Sequence, residues 1–270
     1  MFIDTHCHLD AAEFGDTQAE LVSAAHAAGV NRIVVPSVAR ANFGIVHELC
    51  ERYPGCAPAY GIHPMYTDGA QPVDLLALRE YLARPDAVAV GEIGLDFFID
   101  HYDRAQQEYF FVEQLKLARE FDLPVLLHIR RAQDVILKHL RQHKVRGIAH
   151  AFNGSRQQAD EFIKQGFKLG FGGAMTHSRA TRLRELAATL PLESIVLETD
   201  APDIPPDFLE RGQPNKPEYI PRIAQTLAEL RGMSIEEIAQ ATTENALEVL
   251  PKLANLAQCT RKGQAVAVRG

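Results

Sequence analysis

The sequence predicts a (β/α)₈ barrel, and three observations carry that expectation. Eight short apolar, β-branched runs alternate with seven longer amphipathic stretches. The 270 residues match the roughly 250 typical of the fold. Histidines His6, His8, His63, His128 and His150 fall at the C-terminal ends of the runs, where barrels of this kind carry their chemistry. Strands alternating with helices imply parallel pairing and right-handed crossovers. A closed barrel is the economical arrangement, and a doubly wound open sheet is the alternative.

The first strand, Phe2–His6, runs into Cys7 and His8. Residues two apart on a strand share a face, so His6 and His8 aim two imidazoles at one point. A helix over Gln18–Ala28 is ended by Gly29. Then come strand Arg32–Pro36, helix Asn42–Arg52, strand Ala57–His63, helix Val73–Ala83 and strand Ala87–Glu92. The helix Arg104–Phe121 shows Tyr109, Val112, Leu115 and Leu117–Ala118 at helical spacing, with Asp103 and Gln106 as a capping pair. Strand Pro124–Ile129, helix Ala132–Gln142, strand Arg146–His150 and helix Arg156–Gln165 follow, the last closed by Gly166. Strand Phe167–Gly172, helix Ala180–Leu190 and strand Ser194–Thr199 complete the eight units. After a Pro-rich loop, Ala201–Pro217, come two extra C-terminal helices, the second opening with the capping box Ser234-Ile235-Glu236-Glu237. Residues 1–250 are expected to form one domain, and residues 251–270 a loosely structured tail.

Composition narrows the function classes. A hydrophobic content of 46% and a charged content of 23% describe an ordinary globular protein. A net charge of -7 argues against broad electrostatic wrapping of nucleic acid. Cys7, Cys50, Cys56 and Cys259 form no C-x-x-C pair. With no signal-like N-terminus, reduced thiols and a cytoplasmic location are expected. In that compartment the sequon Asn153-Gly154-Ser155 carries no meaning. No apolar run approaches a membrane span, and no obligate protein partner is evident.

The strand ends carry the chemistry. They read Gly61-Ile62-His63-Pro64, Val90-Gly91-Glu92-Ile93-Gly94-Leu95-Asp96, Leu127-His128-Ile129-Arg130, Ala149-His150-Ala151-Phe152 and Leu197-Glu198-Thr199-Asp200-Ala201-Pro202. Imidazoles and two carboxylates, Glu92 and Asp200, gathered in one barrel mouth are costly unless paired. Divalent cations convert that cost into binding. Imidazole suits Zn, Fe or Ni and carboxylate suits Mg or Mn, so the mixed set leaves the metal open. Glu92, in the middle of the ligand-bearing strands, is the natural bridge between two ions about 3.5–4 Å apart. His26, His47, His139 and His143 fall in helical patterns and are expected at the surface. His101 and His177 fall in loops.

These motifs, with Phe2-Ile3-Asp4-Thr5-His6-Cys7-His8-Leu9-Asp10, Leu123-Pro124-Val125 and Thr243-Glu244-Asn245-Ala246, resemble the TatD-type metal-dependent deoxyribonucleases. That family is a branch of the amidohydrolase superfamily. The resemblance runs in family order from about residue 2 to residue 247. It implies a metal-dependent hydrolase barrel with two divalent ions (Zn, Mg or Mn). His6, His8 and Asp200 would hold one ion, His128 and His150 the other, with Glu92 bridging. His63 would line the substrate pocket. The implied activity is hydrolysis of nucleic-acid phosphodiesters, commonly as a 3′-to-5′ exonuclease on single-stranded DNA. The chain departs from the pattern at Met65, at Ile129-Arg130-Arg131 and at Ala151-Phe152-Asn153-Gly154, none of them a proposed metal ligand.

On this reading Asp200 accepts a proton from the attacking water and later passes it to the leaving oxygen. Arg130 is the candidate phosphate clamp, and Arg131 is expected at the surface. Gly170-Phe171-Gly172-Gly173 offers either backbone N–H groups to a phosphate or a tight turn. Phe97 and Phe98 offer either base stacking or ordinary packing. The alternative function is an amidohydrolase acting on a small cyclic amide, lactone or phosphoester. A non-catalytic scaffold on a retained barrel would be expected to have lost ligands, and this chain keeps every proposed one.

Overall fold

The computed structural model describes residues 1–255. The strands are β1 (Phe2–Asp4), β2 (Val30–Pro36), β3 (Cys56–Tyr60), β4 (Ala89–Asp96), β5 (Val125–Arg130), β6 (Gly147–Ala149), β7 (Phe167–Phe171) and β8 (Ile195–Leu197). They pair in parallel in the order β1 to β8. Beyond the ladder, Thr5 N donates to Leu197 O at 3.1 Å and Asp200 N to His6 O at 2.8 Å, and Cys7 bridges Ala201 in parallel. The first and last strands therefore meet, and the sheet is a nearly closed barrel. The open-sheet alternative is excluded.

The helices are α1 (Gln18–Ala27), α2 (Phe43–Arg52), α3 (Pro72–Leu82), α4 (Arg104–Glu120), α5 (Gln133–His143), α6 (Arg156–Lys164), α7 (Thr181–Thr189), α8 (Ile220–Arg231) and α9 (Ile235–Val249). Local chemistry sets their ends. Asp103 accepts from Ala105 N and Gln106 N at the start of α4, while the Gln106 side chain turns to Thr67 O instead of completing a capping box. Ser234 and Glu237 form the expected box at α9. Ser155, the last residue of the sequon, forms another with Gln158 at α6.

Two apolar clusters organise the interior. The larger lies between strands and helices. The smaller gathers Ile3, Val34, Ala57, Ala89, Leu126, Ile148 and Val196 with Ala246, Val249 and Leu250. It is the barrel interior, plugged by the end of α9. Period-two alternation then carries side chains from this interior to the mouth: Leu126, His128, Arg130 on β5, and Ile148, His150 along β6 and beyond it.

Two expectations need amendment here. His139 is buried at 9% exposure, packs edge-on to Phe111 and faces Glu108 at 3.3 Å; it is not a surface residue. Of the expected tail, residues 252–255 form a helical turn and Leu253 is fully buried against the interior plug. The remainder, 256–270, lies outside the described residues. Among the described residues no helix is long and apolar enough to cross a membrane.

Candidate metal centre

His6 and His8 lie just past β1, on an extended stretch held from both sides. Cys7 N donates to Val34 O, and His8 N to Ala201 O. The two imidazoles meet as their spacing predicts, Nε2 to Nε2 at 3.3 Å. Around them stand Glu92 Oε2, at 3.1 Å from His6 and 3.4 Å from His8, and Asp200 Oδ1, at 3.8 and 3.7 Å. Ligands about 2.1 Å from a tetrahedral ion lie about 3.4 Å apart. The four donor atoms therefore have the mutual spacing of one coordination shell, and imidazole with carboxylate is the donor chemistry of a divalent cation. The residues fit a metal.

Glu92 reaches this position through an irregularity. Ala89 faces the barrel interior, so strict alternation would send Glu92 outward. The pairing of β4 with β5 shifts between Val90 and Ile93, and such slips re-aim side chains. Glu92 then offers its second oxygen elsewhere. Oε1 lies 3.0 Å from His128 Nδ1 and 3.5 Å from His63 Nε2.

His128 and His150 each have a carboxylate at their far nitrogen. His128 Nε2 is hydrogen-bonded to Asp96 Oδ2 at 3.1 Å, and His150 Nδ1 is 3.0 Å from Glu198 Oε1, a charge contact off the line of a hydrogen bond. A carboxylate there favours the proton on that nitrogen and leaves the other bare, the usual arrangement behind a metal-ligating imidazole. The bare nitrogens face Glu92 and, at 3.4 Å, Asp200. Among the described residues three sets of donors lie close enough to share an ion: His6, His8 and Glu92; His6, His150 and Asp200; and His63, Glu92 and His128. His128 and His150, expected to share an ion, thus fall into different close groups.

His63 differs from the others. Its Nδ1 accepts from Met65 N at 3.1 Å, so in the neutral ring the proton sits on Nε2, the atom that faces Glu92. A ring held this way donates a hydrogen bond and has no lone pair left for an ion.

Charge in the cluster is strongly coupled. Burial alone would push Glu92 up, but the His63 and His6 charges and the His128 hydrogen bond hold it well below the usual carboxylate range. Asp200 is lowered against burial chiefly by His150. Burial would lower His8, yet the hydrogen bond and charge of Glu92, with Asp200 behind, lift it to about 9. His150 rises well above the ordinary value, burial being overcome by Glu198 and Asp200. In His6 and His63 burial prevails and the imidazole is pushed down.

Supporting residues escaped the sequence reading. Asp4, fully buried, accepts from His6 N, Thr199 N and Thr199 Oγ1, tying β1 to the end of β8. Glu198 accepts from Ala151 N at 2.5 Å. Asp96 accepts from Phe98 N at 2.9 Å. The signal was available for Glu198, which stands two residues after the inward Val196.

The mouth residues resolve in part. The glycines in and just after β7 stand where other backbone and side chains approach closely. A β-carbon on Gly170 would run into the Glu198 carboxylate, and one on Gly173 into Ile204 O. That is a packing reason, distinct from a phosphate cradle. Arg130 is exposed, 3.9 Å from Asp96, with its guanidinium 3.7 Å from the Phe98 ring centroid. His101 is exposed beside Tyr102, and His177 Nε2 lies 3.0 Å from Pro205 O; neither joins the cluster.

An eight-stranded parallel barrel with histidines and carboxylates at its mouth defines the class of metal-dependent hydrolases. The chain belongs to the TatD related DNase family, whose model matches residues 3–251. It is 46% identical over 249 residues to the uncharacterised metal-dependent hydrolase YjjV of Escherichia coli K12, covering 90% of this chain and 95% of that protein. It superimposes on the crystal structure of E. coli YjjV, a TatD homologue, with a TM-score of 0.89 and 42% identity, covering 93% of this chain and 98% of that one. It is also 32% identical over 249 residues to the 3′-5′ ssDNA/RNA exonuclease TatD of Escherichia fergusonii, covering 90% and 96% respectively.

Proposed function

We propose that this hydrolase is a two-metal 3′-to-5′ exodeoxyribonuclease acting on single-stranded DNA. The observation that carries the reading is the division of Glu92, with Oε2 toward His6 and His8 and Oε1 toward His128. A carboxylate so placed suits two ions side by side. His6, His8 and Asp200 would hold one and His128 the other, with Glu92 on both and His150, whose Nε2 lies 3.4 Å from Asp200, joining from the Asp200 side. Divalent ions bound there would supply positive charge that makes a water easier to deprotonate and offsets charge on the phosphoryl oxygens.

The chain's own residues do the rest. Asp200 Oδ1, ionised because its carboxyl is held low, takes one proton from the attacking water. The water oxygen forms a bond to phosphorus, the bond to the leaving sugar oxygen breaks, and Asp200 returns the proton to that oxygen. His63 Nε2–H is available as a donor to the substrate. Arg130 lies beside Asp96 at the mouth and can grip a phosphate oxygen pair. The relative named as a 3′-5′ exonuclease on single-stranded DNA and RNA supports the polarity and substrate.

Products from 5′- and 3′-end-labelled single-stranded DNA with added Mg, Mn or Zn test the reading. Stepwise shortening of 5′-labelled strands is expected. Turnover of small lactones or phosphoesters with no nucleotide release would favour the small-substrate alternative.

A further inference from the structure

The chain is acidic overall, with a net charge of -7, yet three arginines gather on two neighbouring rings in the loop after β4. The Arg104 guanidinium lies 4.8 Å from the Phe97 ring centroid, and those of Arg130 and Arg131 lie 3.7 and 4.6 Å from that of Phe98. Arg104 is met by Asp100 at 3.6 Å and Arg130 by Asp96 at 3.9 Å. Arg131 has the ring but no acidic partner among the described residues.

Consecutive residues on a strand point to opposite faces, so two adjacent arginines do not ordinarily reach one ring. Here the backbone turns. Arg131 has a φ of 54°, a left-handed conformation that costs a non-glycine residue energy and persists where its surroundings impose it. Phe98 remains 43% exposed, and a guanidinium packed on a ring keeps its N–H edge open to an anion. Asp96 fixes the whole arrangement. It accepts from Phe98 N, approaches Arg130, and faces His128. The ring and its two guanidiniums are therefore held in register with the donor cluster.

We propose that Phe98 and Arg131 form a subsite for the backbone phosphate next to the one being cleaved, while Arg130 grips the scissile phosphate. This rests on the nuclease reading above. Arg131 is the free cation of the pair, and the aromatic ring holds both guanidiniums on the path of the strand. The subsite makes the enzyme prefer substrates with at least two successive phosphates over an isolated diester.

The test compares wild type with Arg131→Gln, Arg131→Lys and Phe98→Leu on two probes, a short oligothymidylate and bis(4-nitrophenyl) phosphate. Oligothymidylate binding is read by fluorescence anisotropy in an Asp200→Asn background. Arg131→Gln should weaken that binding by about tenfold and reduce its salt dependence by about one phosphate contact. The ratio of kcat/KM on oligothymidylate to kcat/KM on the small diester should fall by a similar factor. Arg131→Lys should recover part of the loss, and Phe98→Leu should shift the ratio the same way. Unchanged oligothymidylate binding, or equal losses on both probes, overturns the subsite, as does a wild-type chain that does not bind the oligonucleotide. Arg131-dependent binding without nucleotide release would leave the subsite standing and defeat the exonuclease reading.

Discussion

Gly170 and Glu198 are fitted to each other across β7 and β8: the space a β-carbon would need on Gly170 is filled by the Glu198 carboxylate. That carboxylate in turn stands 3.0 Å from His150 Nδ1. A single methyl at position 170 must therefore displace the group that orients His150. Gly170→Ala should lower stability by about 1–3 kcal/mol, the usual cost of overpacking. It should also weaken metal binding by about 10–100-fold, as lost outer partners of a ligating imidazole do. Chemical denaturation and metal titration measure the two effects. Native metal affinity in the variant would remove Glu198 from any orienting role.

Asp200 separates binding from chemistry. Its φ of 58° is tolerated by Asn nearly as well as by Asp, so Asp200→Asn leaves the backbone undisturbed and keeps one ligand oxygen. Hydrolysis should fall by about 10²–10⁴-fold, typical of a lost general base, with the fold and much of the metal retained. Should metal content and activity fall in proportion, Asp200 is an anchor only.

His63 and His150 should part company on metal content. The Met65 hydrogen bond leaves His63 without a free lone pair toward Glu92, whereas His150 carries Glu198 on its far nitrogen. Elemental analysis should find two divalent ions in wild type and in His63→Ala, and a deficit in His150→Ala. His63→Ala should instead raise KM or lower kcat. Loss of an ion from His63→Ala with none lost from His150→Ala would reverse the assignment.

The metal-free protein should lose stability as pH rises from about 7 to about 9. His8 is raised from 6.5 to about 9 by Glu92 and Asp200, so its protonated form contributes stability in full below 6.5. That contribution is lost as pH climbs through about 9. His150 and His128 shift in the same direction. Asp4, raised from 3.8 to about 7 chiefly by burial, acts in the same sense below that range, its contribution being lost between those two values. Metal binding should do the opposite and strengthen with pH, since each ion displaces protons from imidazoles. Thermal melts and titrations of chelator-treated protein across that range test both slopes. A Tm that is flat or climbs with pH would refute the first.

Much of the site was legible because its donors stand at the ends of apolar runs, where two-residue alternation places them in the mouth. Glu92 was found by its neighbours in sequence, although its inward aim depends on the β4 slip, which leaves no mark in composition. The strand also runs on past its expected end at Glu92, through Gly94 to Asp96. Asp96 looked like any other carboxylate, since its meaning lies in which imidazole it faces. His139 was misplaced because a polar type was read before its position. It shares the buried stripe of α5 with Ile136 and Leu140, three and one residues away.

The seam between β1 and β8 has a consequence for how the protein comes into being. His6 and His8 leave a ribosome well before the residue that braces them, since the Asp4–Thr199 pair joins residues 195 positions apart. Asp200 docks on His6 through the same seam. Until the eighth strand has emerged and closed on the first, His6 and His8 face only Glu92 and lack both Asp200 and the Asp4–Thr199 brace. A chain that stops short of the eighth strand therefore lacks the proton acceptor Asp200, and hydrolysis doubles as a certificate that synthesis has run past the last strand.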